Sequence, residues 1–348
     1  MKDAQSPRVE PLTGPACWTP ASLKSQEWIY TLSNAEADEL RRCAEAFAGR
    51  EPQTLTASDI HLPTVGPRLK QARHALLEGA GFFLIKGLPV DDGDEGYLSR
   101  MLWAVGTYLG VAQPQDAAGA LIHHVRDTGA SVAGRDNIRT FQTNEAQPWH
   151  NDGGDLFALL CAKTADTGGR SLLASAYTVF NTLLARDPEL VRTLQAPFHF
   201  DARGQQLPGS GRVQKVPIYT WHAKRMYLLH KRHYIDHAQR FDEVPRLTQA
   251  QHAALDAFEE LCEDPAIHLA FHLEPGDLEL GHNFSLLHRR DAFDVSSDTV
   301  SERHLLRLWL GAPDGWPLPE VYRSTREYGP LFAVRDPIAL GCRSEVWI

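Results

Sequence analysis

Short strand-forming runs, more than helical periodicity, dominate this chain from its middle onward, and they limit the folds open to it. Residues 138–144, 156–161, 216–221, 225–229, 267–273, 277–280 and 304–310 are brief and apolar-rich, with turn formers between them. Two helical stretches interrupt the series. One covers 177–194 with a Leu183, Leu184, Leu190, Val191, Leu194 stripe, and the other covers 248–262 behind a Thr248-x-x-Gln251 capping box. Earlier in the chain, Ser33-Asn34-Ala35-Glu36 opens a helix to about Ala48, where Gly49 is placed to end it. Helices are also expected at 69–77 and 95–109, with a buried strand at 81–85 closed by Gly87 and Pro89. Many short strands with few helices imply an α+β chain with a mainly β core, closed or double-layered as in a jelly roll. No repeat, low-complexity tract or long linker divides residues 1–348, which predicts one domain with a helical N-terminal portion, about 1–110, packed on that core.

Charge and cysteine usage narrow the function by exclusion. A net charge of −9 and a pI near 6.0 argue against a nucleic-acid partner. No window approaches the ~18 consecutive apolar residues of a membrane span. Met1 to Trp18 is polar and proline-containing, unlike a signal peptide. The five cysteines (Cys17, Cys43, Cys161, Cys262, Cys342) are scattered without a CxxC pair, which fits free thiols, a cytoplasmic location and no thiolate metal site. Oligomeric state is not legible, and a homo-oligomer stays open.

The chemistry concentrates in two segments. Gln147-Pro148-Trp149-His150-Asn151-Asp152 carries an H-x-D. At a strand end, residues i and i+2 point to one face, so an imidazole and a carboxylate converge. A distant second histidine would complete a two-His-one-carboxylate facial set, which leaves positions on Fe(II) open for other ligands. Alone, H-x-D is weak, because sixteen histidines supply chance pairs. The second segment is 275–290, followed by Ser301-Glu302-Arg303-His304-Leu305-Leu306-Arg307-Leu308-Trp309-Leu310. At period 2, Arg303, Leu305, Arg307 and Trp309 share one strand face. Two guanidiniums amid so many apolar residues need anionic or hydrogen-bonding partners. A dicarboxylate ligand would supply them through bidentate pairing, and so would an internal Asp or Glu.

With these pieces in view the chain resembles the TauD/TfdA (taurine dioxygenase-like) family of Fe(II)/2-oxoglutarate oxygenases, near its clavaminate-synthase-like branch. The resemblance rests on Trp149-His150-Asn151-Asp152, Thr167-Gly168-Gly169-Arg170-Ser171, Pro275-Gly276-Asp277, the run from Asn283 to His288, and Arg303-His304-Leu305-Leu306-Arg307. These stand in the family's order across roughly residues 80–330. The resemblance implies a double-stranded β-helix with flanking helices. It further implies that His150, Asp152 and His288 ligate Fe(II), and that Arg303 pairs with the distal carboxylate of the cosubstrate 2-oxoglutarate. Ser171 takes the place of the family's usual threonine, keeping the hydroxyl and losing the methyl. Arg307 is expected to face the same cavity, toward the cosubstrate or an anionic group of the substrate. Arg139 and His124 are further substrate-side candidates, and Asn283 is either a group that orients a ligand or a turn residue.

The implied reaction uses O2 and 2-oxoglutarate, releases succinate and CO2, and oxidises an unactivated C–H bond of a small carboxylate- or amino-acid-type substrate. Related halogenases carry a small residue where this chain has Asp152, so hydroxylation, desaturation or oxidative cyclisation is implied instead, with hydroxylation foremost. Two other classes stay in view. A zinc hydrolase could use the same three ligands, although it gives no reason for two inward arginines. A catalytically silent binding module could share the fold. His230, His233, His237, His268 and His272 read as core or surface residues, with 230–237 strand-like.

Overall fold

Alternation along the strands decides the architecture. The computed structural model describes residues 6–90, 94–127, 143–206, 209–294 and 303–335. In chain order the first strands are β1 (Ile29–Thr31), β2 (Phe82–Lys86), β3 (Val111–Gln113), β4 (Ile122–Val125), β5 (Gln147–His150), β6 (Leu156–Lys163), β7 (Ser171–Ser175) and β8 (Pro197–Asp201). After them come β9 (Val213–Pro217), β10 (Tyr219–His222), β11 (Arg225–Leu228), β12 (His268–Phe271), β13 (Leu278–His282), β14 (Leu286–Arg290) and β15 (His304–Gly311). The larger sheet runs β1-β2-β13-β6-β15-β3 with β4 also on β15, and the smaller runs β12-β7-β14-β5. Two-stranded ladders β8-β9 and β10-β11 stand apart.

The helices are α1 (Ser25–Trp28), α2 (Asn34–Ala46), α3 (Gly66–Glu78), α4 (Glu95–Leu109), α5 (Ala176–Arg186), α6 (Pro188–Leu194), α7 (Arg232–Ala238), α8 (Gln249–Cys262) and α9 (Gly329–Arg335). Three buried clusters follow the pleat. Phe82, Leu84, Phe157, Leu173, Leu286 and Leu305 meet between the sheets. Their strand neighbours Phe83, Ile85, Ala158, Leu306 and Leu308 turn outward, onto α2, α3 and α4. Leu172, Ala174 and Leu287 leave the smaller sheet on its other side, toward α5, α6 and α8. The result is helices, large sheet, small sheet, helices: a jelly roll of the double-stranded β-helix kind with flanking helices. β1 and β2 come from the N-terminal portion, so that portion supplies strands to the core as well as a helical cover.

Capping sets two helix starts where the sequence places them. Ser33 and Glu36 close a capping box on α2, and Thr248 and Gln251 do so on α8. Elsewhere the structure departs from the sequence reading. The helix expected over 177–194 breaks at Asp187-Pro188, because proline lacks an N–H and pushes its predecessor out of the helical region. Asp187 sits at φ −163° and caps α6 through Glu189 N. The strand expected at 216–221 splits around Ile218 into β9 and β10. Residues 232–238 form helix α7, not a strand, so the spacing of His233 and His237 is helical. Most of the strand expected at 138–144 lies outside the described residues.

Candidate metal centre

Pairing between β5 and β14 builds the centre. His150 and His288 are directly opposed in register, so both imidazoles emerge at one point of the smaller sheet. Their Nε2 atoms lie 3.0 Å apart. The chain then leaves β5, and two residues later Asp152 brings its carboxylate oxygens to 3.9 Å from each imidazole. All three residues are buried. Asn283 fixes the turn: its Oδ1 accepts from Asp152 N at 3.1 Å, and its Nδ2 donates to the carbonyls of Gly153 and Gly154. Asn283 is thus a brace for the ligand loop.

The donor set fits a divalent transition metal. His150 Nδ1 donates to the Pro148 carbonyl at 2.8 Å, which fixes the tautomer and leaves Nε2 to a metal. Burial, then the neighbouring His288, holds His150 well below the usual imidazole range, and burial brings His288 down to about 4. Both rings are therefore neutral near pH 7, with lone pairs to give. Burial works against ionisation of Asp152, yet Arg307 and the two imidazoles hold its carboxyl well below the usual range. Two imidazole nitrogens about 3 Å apart suit neighbouring positions around a metal with bonds of roughly 2.1 Å. Two nitrogens and one carboxylate on one side leave the other side open.

Around the centre is a cavity of about 30 Å³ bounded in part by Ser171, Glu279, Arg303 and Arg307. Arg303 and Arg307 stand on its wall as the period-2 reading requires. Arg307 Nη1 donates to both oxygens of Asp152 at 3.1 Å, and its Nε donates to Gln115 Oε1 at 2.7 Å. Gln115 returns a hydrogen bond from Nε2 to the Arg307 carbonyl. Arg303 has no hydrogen bond among the described residues; its guanidinium lies 5.5 Å from the Phe293 ring and faces Glu279. Ser171 Oγ donates to Glu279 Oε2 at 2.5 Å. Two glycines make room. A Cβ on Gly281 would collide with Phe157, whose ring packs 4.4 Å from that of His288. Gly169 (φ 67°) turns the chain beside Arg303 on the way to Ser171.

Other sequence candidates fall elsewhere. His124 is in register with Leu306, on the outward face of the larger sheet, and does not border this cavity. There its Nδ1 meets His304 Nε2 at 2.8 Å, with Glu95 3.9 Å from its other nitrogen, a second gathering of possible donors. Arg139 lies outside the described residues. His230 packs on Phe258, His237 bonds Asp201, and His268 Nδ1 donates to the Cys262 carbonyl, so none joins the centre.

Four residues near the site escaped the sequence reading. Gln115 and the buried pair Lys231–Glu327 (2.9 Å) come from loop segments with no pattern to flag them. Glu279 did have a signal, since Leu278 and Leu280 face the helical layer and period 2 turns Glu279 inward.

Residues 46–309 match the family described as "Taurine catabolism dioxygenase TauD, TfdA family". FR-33289 synthase of Streptomyces rubellomurinus (strain ATCC 31215) is 33% identical over 94% of this chain and 97% of its own length. An asparagine oxygenase solved with Fe(II), 2S,3S-3-hydroxyasparagine and succinate superposes with a TM-score of 0.64, at 19% identity, over 81% of this chain and 93% of its own. The non-heme iron oxygenase OrfP, solved with Fe and alpha-ketoglutaric acid, gives a TM-score of 0.61 at 16% identity over 81% and 94%. These two likenesses concern the fold.

Proposed function

From the chain's membership of the TauD/TfdA family of Fe(II)/2-oxoglutarate-dependent oxygenases, we propose that His150, Asp152 and His288 hold the iron, and that Arg303 and Ser171 hold 2-oxoglutarate. One observation carries this reading: three buried ligand atoms converge beside a wall that bears an arginine without a hydrogen-bond partner among the described residues. Iron and 2-oxoglutarate bound there would supply O2 activation, with release of succinate and CO2 and oxidation of a substrate C–H bond.

The chain's own residues do the rest. Pro148 and Asn283 orient the ligands, and Phe157 packs on His288 and excludes water from that side. Arg307 holds the Asp152 carboxylate ionised and in place, which gives it a role ahead of any contact with cosubstrate or substrate. We assign the substrate to small carboxylates or amino acids and the outcome to hydroxylation. Support comes from the cationic cavity wall and from the hydroxyasparagine in the asparagine oxygenase structure. Desaturation and cyclisation are the alternatives at the same centre. Among the described residues no helix is long and apolar enough to cross a membrane, and with free thiols at Cys17, Cys43, Cys161 and Cys262 we assign a cytoplasmic location.

The test is succinate formation from 2-oxoglutarate across a panel of amino and organic acids, with Fe(II) and ascorbate. Substrate-stimulated turnover is expected for at least one member. Tight zinc binding with no 2-oxoglutarate turnover would sink the reading.

A further inference from the structure

One carboxylate in the cavity has no part in the chemistry above. Glu279 is 1% exposed on the inward face of β13. Its Oε2 accepts from Ser171, and its Oε1 is buried without a hydrogen-bond partner among the described residues. The groups around it come from several elements. Arg303, just ahead of β15, acts as the attracting cation, and Asp152, beyond β5, adds a repelling negative charge. On β6, burial pushes the Cys161 thiol up to about 12, so it stays neutral. On β14, Arg290 lies near Arg303 and borders the cavity, as do His288 and, on β15, Arg307. On β2, uncharged Leu84 is its register partner. Burial dominates this balance and brings Glu279 up to about 7 despite Ser171 and Arg303.

This inference rests on the reading that Ser171 and Arg303 receive the distal carboxylate of 2-oxoglutarate. That places a second carboxylate against Glu279 in a dry site. Two carboxylates sharing a hydroxyl and a guanidinium do not both stay ionised there. We propose that Glu279 takes up one proton from solvent as 2-oxoglutarate binds, and that the resulting carboxylic acid donates a hydrogen bond to the cosubstrate's distal carboxylate. Glu279 is then a binding residue that makes cosubstrate affinity proton-linked. Above neutral pH the proton must be captured on binding, so Kd rises by about tenfold per pH unit. Protonation of the imidazoles would weaken binding at acid pH, the opposite direction, and does not overlap this window.

Anaerobic calorimetric titration of 2-oxoglutarate into the Fe(II)-loaded protein, between about pH 6.5 and 8.5, tests this. Two buffers of different ionisation enthalpy count the protons. Uptake should approach one proton near pH 8 as Kd climbs. Glu279→Gln keeps an acceptor for Ser171 and an N–H for the ligand, so it should bind with a flat pH profile and no uptake. A flat wild-type Kd without uptake, or a full slope persisting in E279Q, overturns the role of Glu279 and leaves the cosubstrate assignment intact. Failure of wild type and E279Q to bind 2-oxoglutarate at any pH would overturn both. Proton uptake by the wild type decides the matter by itself if E279Q does not fold.

Discussion

Asp152 and Arg307 show how closely a ligand and its support are tied at the residue scale. Without Asp152 the centre has two neutral imidazoles and no charge to offset a dication. Asp152→Ala should therefore bind Fe(II) poorly and lose succinate formation, and full turnover in that variant would refute the ligand assignment. Arg307→Gln poses a finer question. The carboxylate would lose the guanidinium that keeps it ionised and aimed. Loss of such outer support weakens metal binding by roughly 10–100-fold. Anaerobic Fe(II) titration should show that drop. An unchanged metal Kd with a raised substrate KM would instead make Arg307 a substrate contact, as the sequence alone allowed.

Elements set how far these residues can move. On β13, Gly281 leaves space that Phe157 fills on its way to His288. Gly281→Ala forces that ring to shift, at about 1–3 kcal/mol. Its turnover should fall further than its denaturation midpoint suggests, because the displaced ring packs on a ligand. Helix α7 carries a different burden. Burial first, with Lys231 and Arg203 adding, brings His233 down to about 3. The unfolded chain binds a proton below about pH 6.5 that the folded chain refuses. Stability is thus intact above that pH and lost as pH falls toward 3. The slope is at most ~1.4 kcal/mol per pH unit, and less here because part of the side chain meets solvent. His233→Leu should flatten the acid limb of urea midpoints measured against pH.

The same elements explain what the sequence could and could not reveal. Strand parity is legible, so the sequence alone puts Arg303 and Arg307 on one face, whereas the reach of Asp152 to the centre depends on the turn after β5 that Asn283 braces. Glu279 is legible by the same rule, although it follows closely on the Pro275-Gly276-Asp277 turn that draws the eye. Gln115 and Lys231 had no local signature, since only the fold brings residues from loops to the centre. The strand reading of 230–237 failed because apolar periodicity over so few residues does not separate strand from helix. Asp187-Pro188 was a readable break that the leucine stripe on either side outweighed.

At the scale of the whole molecule, the proposed ligands belong to opposite layers. His150 and His288 stand on the smaller sheet, and Arg303 stands just ahead of β15, a strand of the larger. Fe(II) alone would cross-link β5, β14 and the Asp152 loop, whereas 2-oxoglutarate bound to it would reach across to Arg303 and join the two sheets. Thermal unfolding reads this difference. Saturation to about 100 times Kd stabilises by ~2.7 kcal/mol, which for a chain somewhat larger than 250 residues moves Tm by a few degrees. Fe(II) alone, under anaerobic conditions, should give a rise of that size. 2-Oxoglutarate alone should give much less, because its inner carboxylate and keto oxygen lack a partner. Together they should exceed the sum, and Arg303→Gln should remove the excess while keeping the Fe(II) increment. Simple additivity in the wild type would mean that the cosubstrate does not bridge the sheets, and that Arg303 needs another role.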